Sequence, residues 1–184
     1  MHVSDEGRAK LIAREGVRLH PYCDSAGVPT IGIGCTFYPD GRRVTLDDQP
    51  ITRAQADQMF AVLLVRFASG VESALTRQPT QEQFDAMVSL AFNIGIGGFK
   101  GSTVVKKFNA GDIQGAADAF LMWNRPPEII GRRTGERDQF LSGATVKEPL
   151  QVAPVVKDSL IPAAPVSPWV TLLRFILSLF KRRS

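Results

Sequence analysis

The stretch of sequence that decides the fold runs from residue 15 to residue 34. It reads Glu15-Gly16-Val17-Arg18-Leu19-His20-Pro21-Tyr22-Cys23-Asp24-Ser25-Ala26-Gly27-Val28-Pro29-Thr30-Ile31-Gly32-Ile33-Gly34. Two carboxylates and one hydroxyl, those of Glu15, Asp24 and Thr30, fall within this single helix-to-hairpin unit. These three groups make the stretch a candidate site as well as a folding unit.

A helix is predicted to lead into this stretch. Ser4 is suited to be its N-cap, and the helix dipole favours the acidic residues Asp5 and Glu6 in the first turn. Gly16 is suited to the C′ position, so Glu15 should lie on the last turn. A carboxyl there lies at the negative end of the dipole, which favours the protonated form that a general acid needs.

A hairpin is predicted to follow the helix. Residues 18–24 are expected to form a strand, residues 25–27 a turn, and residues 28–34 the return strand. Asp24 then lies at one edge of the hairpin, and Thr30 lies on the facing strand.

The two carboxylates have two interpretations. Most Asp and Glu side chains are solvated surface charges. The alternative is hydrolysis of a glycosidic bond, in which one carboxyl protonates the leaving oxygen and the other polarises or positions the nucleophile. Carboxylate pairing alone does not decide between them.

The whole stretch resembles the N-terminal active-site motif of phage-type lysozymes, glycoside hydrolase family 24. The family pattern is Glu-Gly-x-Arg-Leu-x-x-Tyr-x-Asp-x-x-Gly-x-x-Thr-Ile-Gly-x-Gly, and every fixed position is matched. The sequence departs from many members at Cys35-Thr36, where they carry His-Thr or a similar pair. Three later segments, within a resemblance that covers residues 1 to about 143, are also similar to the family: Ala91-Phe92-Asn93-Ile94-Gly95, Trp123-Asn124 and Gly131-Arg132-Arg133-Thr134-Gly135-Glu136-Arg137-Asp138-Gln139-Phe140.

The resemblance implies a catalytic triad of Glu15, Asp24 and Thr30. Glu15 is expected to be the general acid. Asp24, helped by Thr30, either orients a water or stabilises the positive charge that develops on the sugar. Inversion is implied, for which the carboxyls stand about 6.5–9.5 Å apart. The implied substrate is bacterial peptidoglycan, cut between N-acetylmuramic acid and N-acetylglucosamine, and a chitin-like polymer remains an alternative because it also carries acetamido sugars.

Three further residues are candidates for contact with substrate. Asn93 is either a helix C-terminal cap or a groove residue that hydrogen-bonds an acetamido sugar, and the resemblance favours the second. Arg132 is either a solvated charge or, as the resemblance implies, an ion-pair partner of Glu15, which would favour the ionised acid and oppose the dipole. Gly34 leaves the backbone open to a ligand or to a packed element.

The remaining residues up to 143 are predicted to be helical. Capping boxes that begin at Thr52 and Thr80 open two helices with apolar residues at helical spacing, and Gly95, Gly97 and Gly98 are expected to end the second. Shorter helices are expected over residues 102–108, 112–121 and 134–141. The expected fold is α+β and lysozyme-like, with a small hairpin lobe, a larger helical lobe and the active site in the cleft between them.

Charge separates the first 143 residues from the others. Residues 1–143 carry 16 basic and 16 acidic side chains, whereas residues 144–184 account for the whole net charge of +4. A neutral globular part argues against a nucleic-acid groove on it. The two histidines and the lack of a Cys-x-x-Cys pair argue against a metal site, so neither a metal nor a cofactor is predicted.

Two segments are predicted after the catalytic domain of residues 1–143. Residues 144–168, rich in Pro, Ala and Val, indicate a semi-extended linker. Residues 169–184 indicate a basic amphipathic helix, which at about 18 Å for its apolar part is too short for a hydrocarbon core of about 30 Å. This helix either lies in the interface of an anionic membrane or docks on the domain or on another copy. Its candidate membrane-binding residues are Trp169, Arg174, Phe175, Lys181 and Arg182.

Charged residues interrupt the first apolar residues of the chain, so no signal peptide is predicted. We therefore expect synthesis in the host cytoplasm and release to the periplasmic wall by a holin or a similar device. We also expect a monomer with two free thiols, Cys23 and Cys35, because the hairpin register does not place them opposite each other. Two other classes stay open, namely a wall-binding protein without activity and a membrane-active lytic protein whose C-terminal helix permeabilises the membrane.

Overall fold

The computed structural model describes residues 1–24 and 26–143, and the first of its helices is α1, Asp5–Glu15. Ser4 is the N-cap, as predicted, and its hydroxyl accepts a hydrogen bond from the Gly7 backbone N–H. Gly16 ends the helix with a positive φ of 73°. Glu15 therefore lies on the last turn, where the sequence placed it.

The hairpin pairs β1, Arg18–Cys23, with β2, Pro29–Gly32, in an antiparallel sheet. Tyr22 lies opposite Thr30, and Cys23 lies opposite Pro29. The return strand is shorter than the predicted span of residues 28–34. It ends early because Gly32 and Gly34 both have positive φ, and an isolated bridge between Ile31 and Cys35 folds the chain back on itself.

The small lobe has its own apolar core beneath the hairpin. Cys35 is part of this core and is 1% exposed, whereas Cys23 is exposed; both thiols are free, as expected. The other buried members of this core are Ile31, Val44, Ile51, Ala56 and Met59. The last two belong to the first long helix, so the small lobe is anchored on the helical part of the molecule.

Two long helices, α2 over Arg53–Glu72 and α3 over Gln81–Gly101, form the centre of the larger lobe. Both open with the predicted capping boxes, Thr52 with Gln55 and Thr80 with Gln83. The expectation that Gly95, Gly97 and Gly98 end the second helix was wrong. Gly95 interrupts the helix with φ 78° and ψ 153°, and helical geometry resumes directly after it, so the glycine kinks α3 instead of ending it.

Three shorter helices complete the larger lobe: α4 at Thr103–Asn109, α5 at Ile113–Phe120 and α6 at Ile130–Ser142. The last begins four residues before the predicted start at residue 134. A 3-10 turn, Pro127–Ile129, leads straight into α6, and no side chain caps the helix. The sequence therefore carries no capping signal at the true start.

The larger core lies between α2, α3 and the short helices, with Phe60, Phe84, Phe99, Phe120 and Phe140 fully buried. The predicted α+β fold, with a small hairpin lobe and a larger helical lobe, is confirmed. Among the described residues, no helix combines the length and the apolar character needed to cross a bilayer. The predicted linker and C-terminal helix, residues 144–168 and 169–184, lie outside the described residues.

Candidate active site

Asp24 and Thr30 both bind the backbone of Val28, at the end of the hairpin turn. The Asp24 carboxylate Oδ1 accepts hydrogen bonds from the backbone N–H of Ala26 at 2.9 Å and of Val28 at 2.8 Å. The Thr30 hydroxyl donates to the carbonyl of the same Val28 at 2.9 Å. The turn therefore holds both candidate side chains, and because the Thr30 proton is donated to a carbonyl, its oxygen remains as an acceptor.

Among the described residues, Asp24 Oδ2 takes part in no hydrogen bond or ion pair. One oxygen of the carboxylate thus holds the turn and the other remains available. Asp24 is half-buried, while Thr30 is only 2% exposed. This arrangement is able to hold a water molecule through the open oxygen of Asp24.

Glu15 is paired with Arg132. The Glu15 Oε1 atom lies 2.7 Å from Arg132 Nη1, with 19% and 11% of the two side chains exposed. The contact is an ion pair without hydrogen-bond geometry, so the buried Oε1 atom has no hydrogen-bond donor. Of the two alternatives that the sequence left for Arg132, a solvated charge or an ion pair with Glu15, the structure contains the ion pair.

Glu136 holds Arg132 from the opposite side. Its Oε1 accepts hydrogen bonds from Arg132 Nε at 3.0 Å and from the Ser89 hydroxyl at 2.6 Å. Arg132 also donates from Nη2 to the Ser89 carbonyl at 3.2 Å. Because Glu136 is completely buried, these bonds fix the guanidinium that faces Glu15.

Two more arginines surround this cluster. Arg133 is 1% exposed, and its guanidinium donates to Glu136 Oε2 and to Asn93 Oδ1. Arg14 donates to the Ser89 hydroxyl at 3.0 Å and to Gln139 at 3.2 Å. Burial is the main cause that lowers the pKa of both Arg14 and Arg133, and the carboxylate of Glu136 opposes it.

The carboxylates of Glu15 and Asp24 both influence the pKa of Tyr22. Burial raises the pKa of Tyr22; the charge of Arg18 opposes this effect, and the carboxylates of Glu15 and Asp24 add to it. Arg18 also stacks over the Tyr22 ring at 4.5 Å from its centre. Since Tyr22 lies opposite Thr30 in the hairpin, the three predicted catalytic residues surround the same strand pair.

A cleft of about 490 Å³ lies between residues 34–37, which follow the hairpin, and helices α2 and α3. Gly34 lies on one wall, where a β-carbon would stand 3.2 Å from Phe92 on the other. Among the described residues that line this cleft, Glu15, Asp24 and Thr30 are absent. Asn93 lies between the cleft and the cluster around Glu136. It follows the cleft residue Phe92 in the chain, and its Oδ1 accepts a hydrogen bond from Arg133, which also binds Glu136.

The sequence and the structure match those of known proteins. The family model described as phage lysozyme matches residues 13–136. The endolysin of Salmonella phage P22 is 41% identical over 147 residues, which cover 77% of this chain and 99% of that protein. The chain belongs to the phage lysozyme family. It is thus a muramidase, a glycosidase that hydrolyses peptidoglycan.

Solved structures confirm the fold of this lysozyme. An endolysin from Escherichia coli O157:H7 phage FAHEc1 is 36% identical, with a TM-score of 0.71 over 77% of this chain and 94% of that one. A mutant of P22 lysozyme is 39% identical, with a TM-score of 0.68 over 77% of this chain and 99% of that one. The departure at Cys35 from the common His-Thr pair leaves this fold intact, because the thiol packs into the small core.

Sequence reasoning missed the buried part of this lysozyme's site. Glu136 was quoted within the closing helix segment but was given no role, Arg133 was not predicted to bind Glu136 or Asn93, and Ser89 and Arg14 were not considered. The available signal was spacing, because Glu136 lies four residues after Arg132 and three after Arg133 on one helix face.

Proposed function

We propose that Glu15 is the general acid of this lysozyme and that Asp24 and Thr30 position the attacking water. The observation that carries the proposal is the Glu15–Arg132 ion pair at 2.7 Å, fixed from behind by buried Glu136. Glu136 holds the Arg132 guanidinium in place against Glu15, since it accepts a hydrogen bond from Arg132 Nε at 3.0 Å. Once Glu15 has given its proton to the leaving oxygen, Arg132 pairs with the carboxylate that forms.

Water is activated on the hairpin side. Asp24 accepts from the water through its open Oδ2, and the Thr30 oxygen accepts a second hydrogen bond from it. This assignment corresponds to an inverting hydrolysis of the bond between N-acetylmuramic acid and N-acetylglucosamine. The support for it is that Val28 holds both side chains, Asp24 through its backbone N–H and Thr30 through its carbonyl.

Asn93 and Gly34 are proposed as substrate contacts along the cleft. The Asn93 carbonyl oxygen binds Arg133, which leaves the amide N–H groups to donate to the carbonyl of an acetamido sugar. Gly34 is proposed because its positive φ and its close approach to Phe92 keep a side chain off this wall, so a sugar can lie against the backbone itself.

The test is release of reducing ends from purified peptidoglycan by the wild type, Glu15→Gln, Asp24→Asn and the control Glu6→Gln. Glu6 lies on the same helix but is exposed and paired with Lys10. We expect Glu15→Gln to lose more than about 100-fold in rate, the low end of what general acid catalysis contributes. Full activity in Glu15→Gln would mean that another residue is the acid.

The second candidate function is membrane permeabilisation by residues 169–184, favoured by the run of apolar residues from Trp169 that ends in Lys181, Arg182 and Arg183. Lysis of intact cells separates the two functions. If Glu15→Gln clears intact cells as fast as the wild type while releasing no reducing ends, the tail is the lytic agent.

A further inference from the structure

A second cavity, of about 360 Å³, adjoins the cleft of this lysozyme. Residues 37–39 and 41 of the loop after the hairpin form one side, and α2 forms the other. Phe37, Leu63 and Arg66 line both this side cavity and the cleft. The two spaces therefore share a boundary at the protein surface, and a branched ligand lying in the cleft can extend a side group across it.

Arg66 is the one charged side chain among the described residues that line either space. It is exposed, and within residues 1–24 and 26–143 it forms no hydrogen bond, ion pair or ring contact. Neighbouring arginines differ in this respect. Arg53, on the same helix, pairs with Asp57, and Arg42 lies over the Tyr38 ring at 4.0 Å.

The walls around Arg66 are apolar and open to solvent. Phe37 is 41% exposed and Val62 is 52% exposed, on opposite sides of the side cavity. An unpaired cation on an apolar floor suits a ligand that carries a carboxylate on short aliphatic groups.

Peptidoglycan supplies such a ligand. Its muramic acid residues bear peptide stems, and the lactyl carboxyl is used in the amide bond that attaches each stem. The free carboxylates of the intact polymer therefore belong to the stems. We propose that the side cavity is a subsite for the peptide stem and that Arg66 binds a stem carboxylate, an inference that rests on the cleft being the glycan groove of the proposed function.

The experiment compares the wild type with Arg66→Gln, Arg66→Lys and the control Arg53→Gln. Each is assayed on three soluble substrates: glycan strands with intact stems, the same strands with stem carboxyls amidated by carbodiimide and ammonia, and strands stripped of stems by an amidase. The measured quantities are KM and kcat from release of reducing ends.

On intact strands we expect Arg66→Gln to raise KM about 3- to 10-fold at unchanged kcat, because the contact is formed equally in ground and transition states. Arg66→Lys should recover part of the loss, and Arg53→Gln should match the wild type. On amidated and on stripped strands the wild type and Arg66→Gln should have the same KM.

An equal KM for wild type and Arg66→Gln on intact strands would overturn the proposal. A loss that persists on amidated strands would also overturn it, since Arg66 would then act on the glycan or on the fold. Failure of the proposed function is distinguishable, because it appears as retained activity in Glu15→Gln and does not depend on the stems.

Discussion

Glu136 connects three other side chains of the site. It is fully buried and binds Arg132, Arg133 and Ser89 at once. A buried charge is tolerated only with such partners, because desolvation of an unpaired ion costs several kcal/mol. The orientation of Arg132, and through it the ion pair with Glu15, therefore depends on Glu136.

The first prediction concerns this residue. Glu136→Gln should lower the free energy of unfolding by about 3–5 kcal/mol, because the buried guanidinium of Arg133 loses its counter-charge and Arg132 keeps only Glu15. The measurement is urea unfolding, with Glu128→Gln as the control, since Glu128 is exposed. The control should stay within about 0.5 kcal/mol of the wild type. A loss below about 1 kcal/mol in Glu136→Gln would show that the cluster needs no buried anion.

The second prediction concerns Cys35. Burial raises the pKa of its thiol to about 11 from 9.0. The folded state therefore holds this proton more tightly than the unfolded state does. The resulting stabilisation is fully present below about pH 9 and is lost as the pH rises toward 11.

Comparison with Cys35→Ala isolates this effect, because other titrating groups are common to both proteins. The difference in unfolding free energy between wild type and variant should shrink by about 2–3 kcal/mol from pH 8.5 to pH 11. A pH-independent difference would contradict the raised pKa.

At the scale of elements, helix α3 links the core to the cleft. Its first part supplies buried apolar residues, and its kink at Gly95 brings Ile96 and Gly97 to the cleft wall. The backbone angles at Gly95 belong to a region that is open almost only to glycine. The kink is therefore specified by one residue.

The third prediction compares alanine substitutions at two glycines of this helix. Gly95→Ala should destabilise the fold by about 1–3 kcal/mol, because alanine does not adopt the required φ without strain. Gly97→Ala should be neutral or up to about 1 kcal/mol stabilising, since Gly97 is helical and a β-carbon there meets nothing within 4 Å. Thermal unfolding of both variants checks this. Equal changes in stability for the two variants would mean that the kink does not need glycine at position 95.

Elements with capping signals were predictable from sequence, and elements without them were not. The starts of α1, α2 and α3 follow from Ser4, Thr52 and Thr80, whose side chains satisfy backbone N–H groups. Helix α6 begins without a cap, so its start was placed late. Gly95 was taken as an end because sequence does not tell whether helical geometry resumes after a glycine.

In the site too, only the residues that belong to a local sequence pattern were predictable. The motif from Glu15 to Gly34 contains the candidate acid and the pair proposed to position water, because these residues lie close together in the chain. Glu136 and Arg133 act across helices α3 and α6, and in the sequence they look like ordinary surface charges. Their burial depends on tertiary packing, which local patterns do not report.

At the scale of the whole molecule, charge and catalysis are separated along the chain. Residues 1–143 are neutral and contain the described site, whereas the excess positive charge lies after them. The compact unit that holds the site ends at Lys147. Folding and hydrolysis should therefore not need the residues that follow, while attraction to anionic surfaces should.

The last prediction tests this separation by removing residues 148–184. The shortened chain should unfold at the temperature of the full chain within about 2 °C, because its core is complete, and it should hydrolyse soluble glycan strands at the same rate. Sedimentation with anionic lipid vesicles should be lost. A full-length variant with Lys181, Arg182 and Arg183 changed to Gln should bind more weakly by about 1 kcal/mol per lost charge, but should not lose binding entirely, since the apolar residues between 169 and 180 remain. Vesicle binding by the shortened chain would assign membrane affinity to the catalytic unit and contradict the separation.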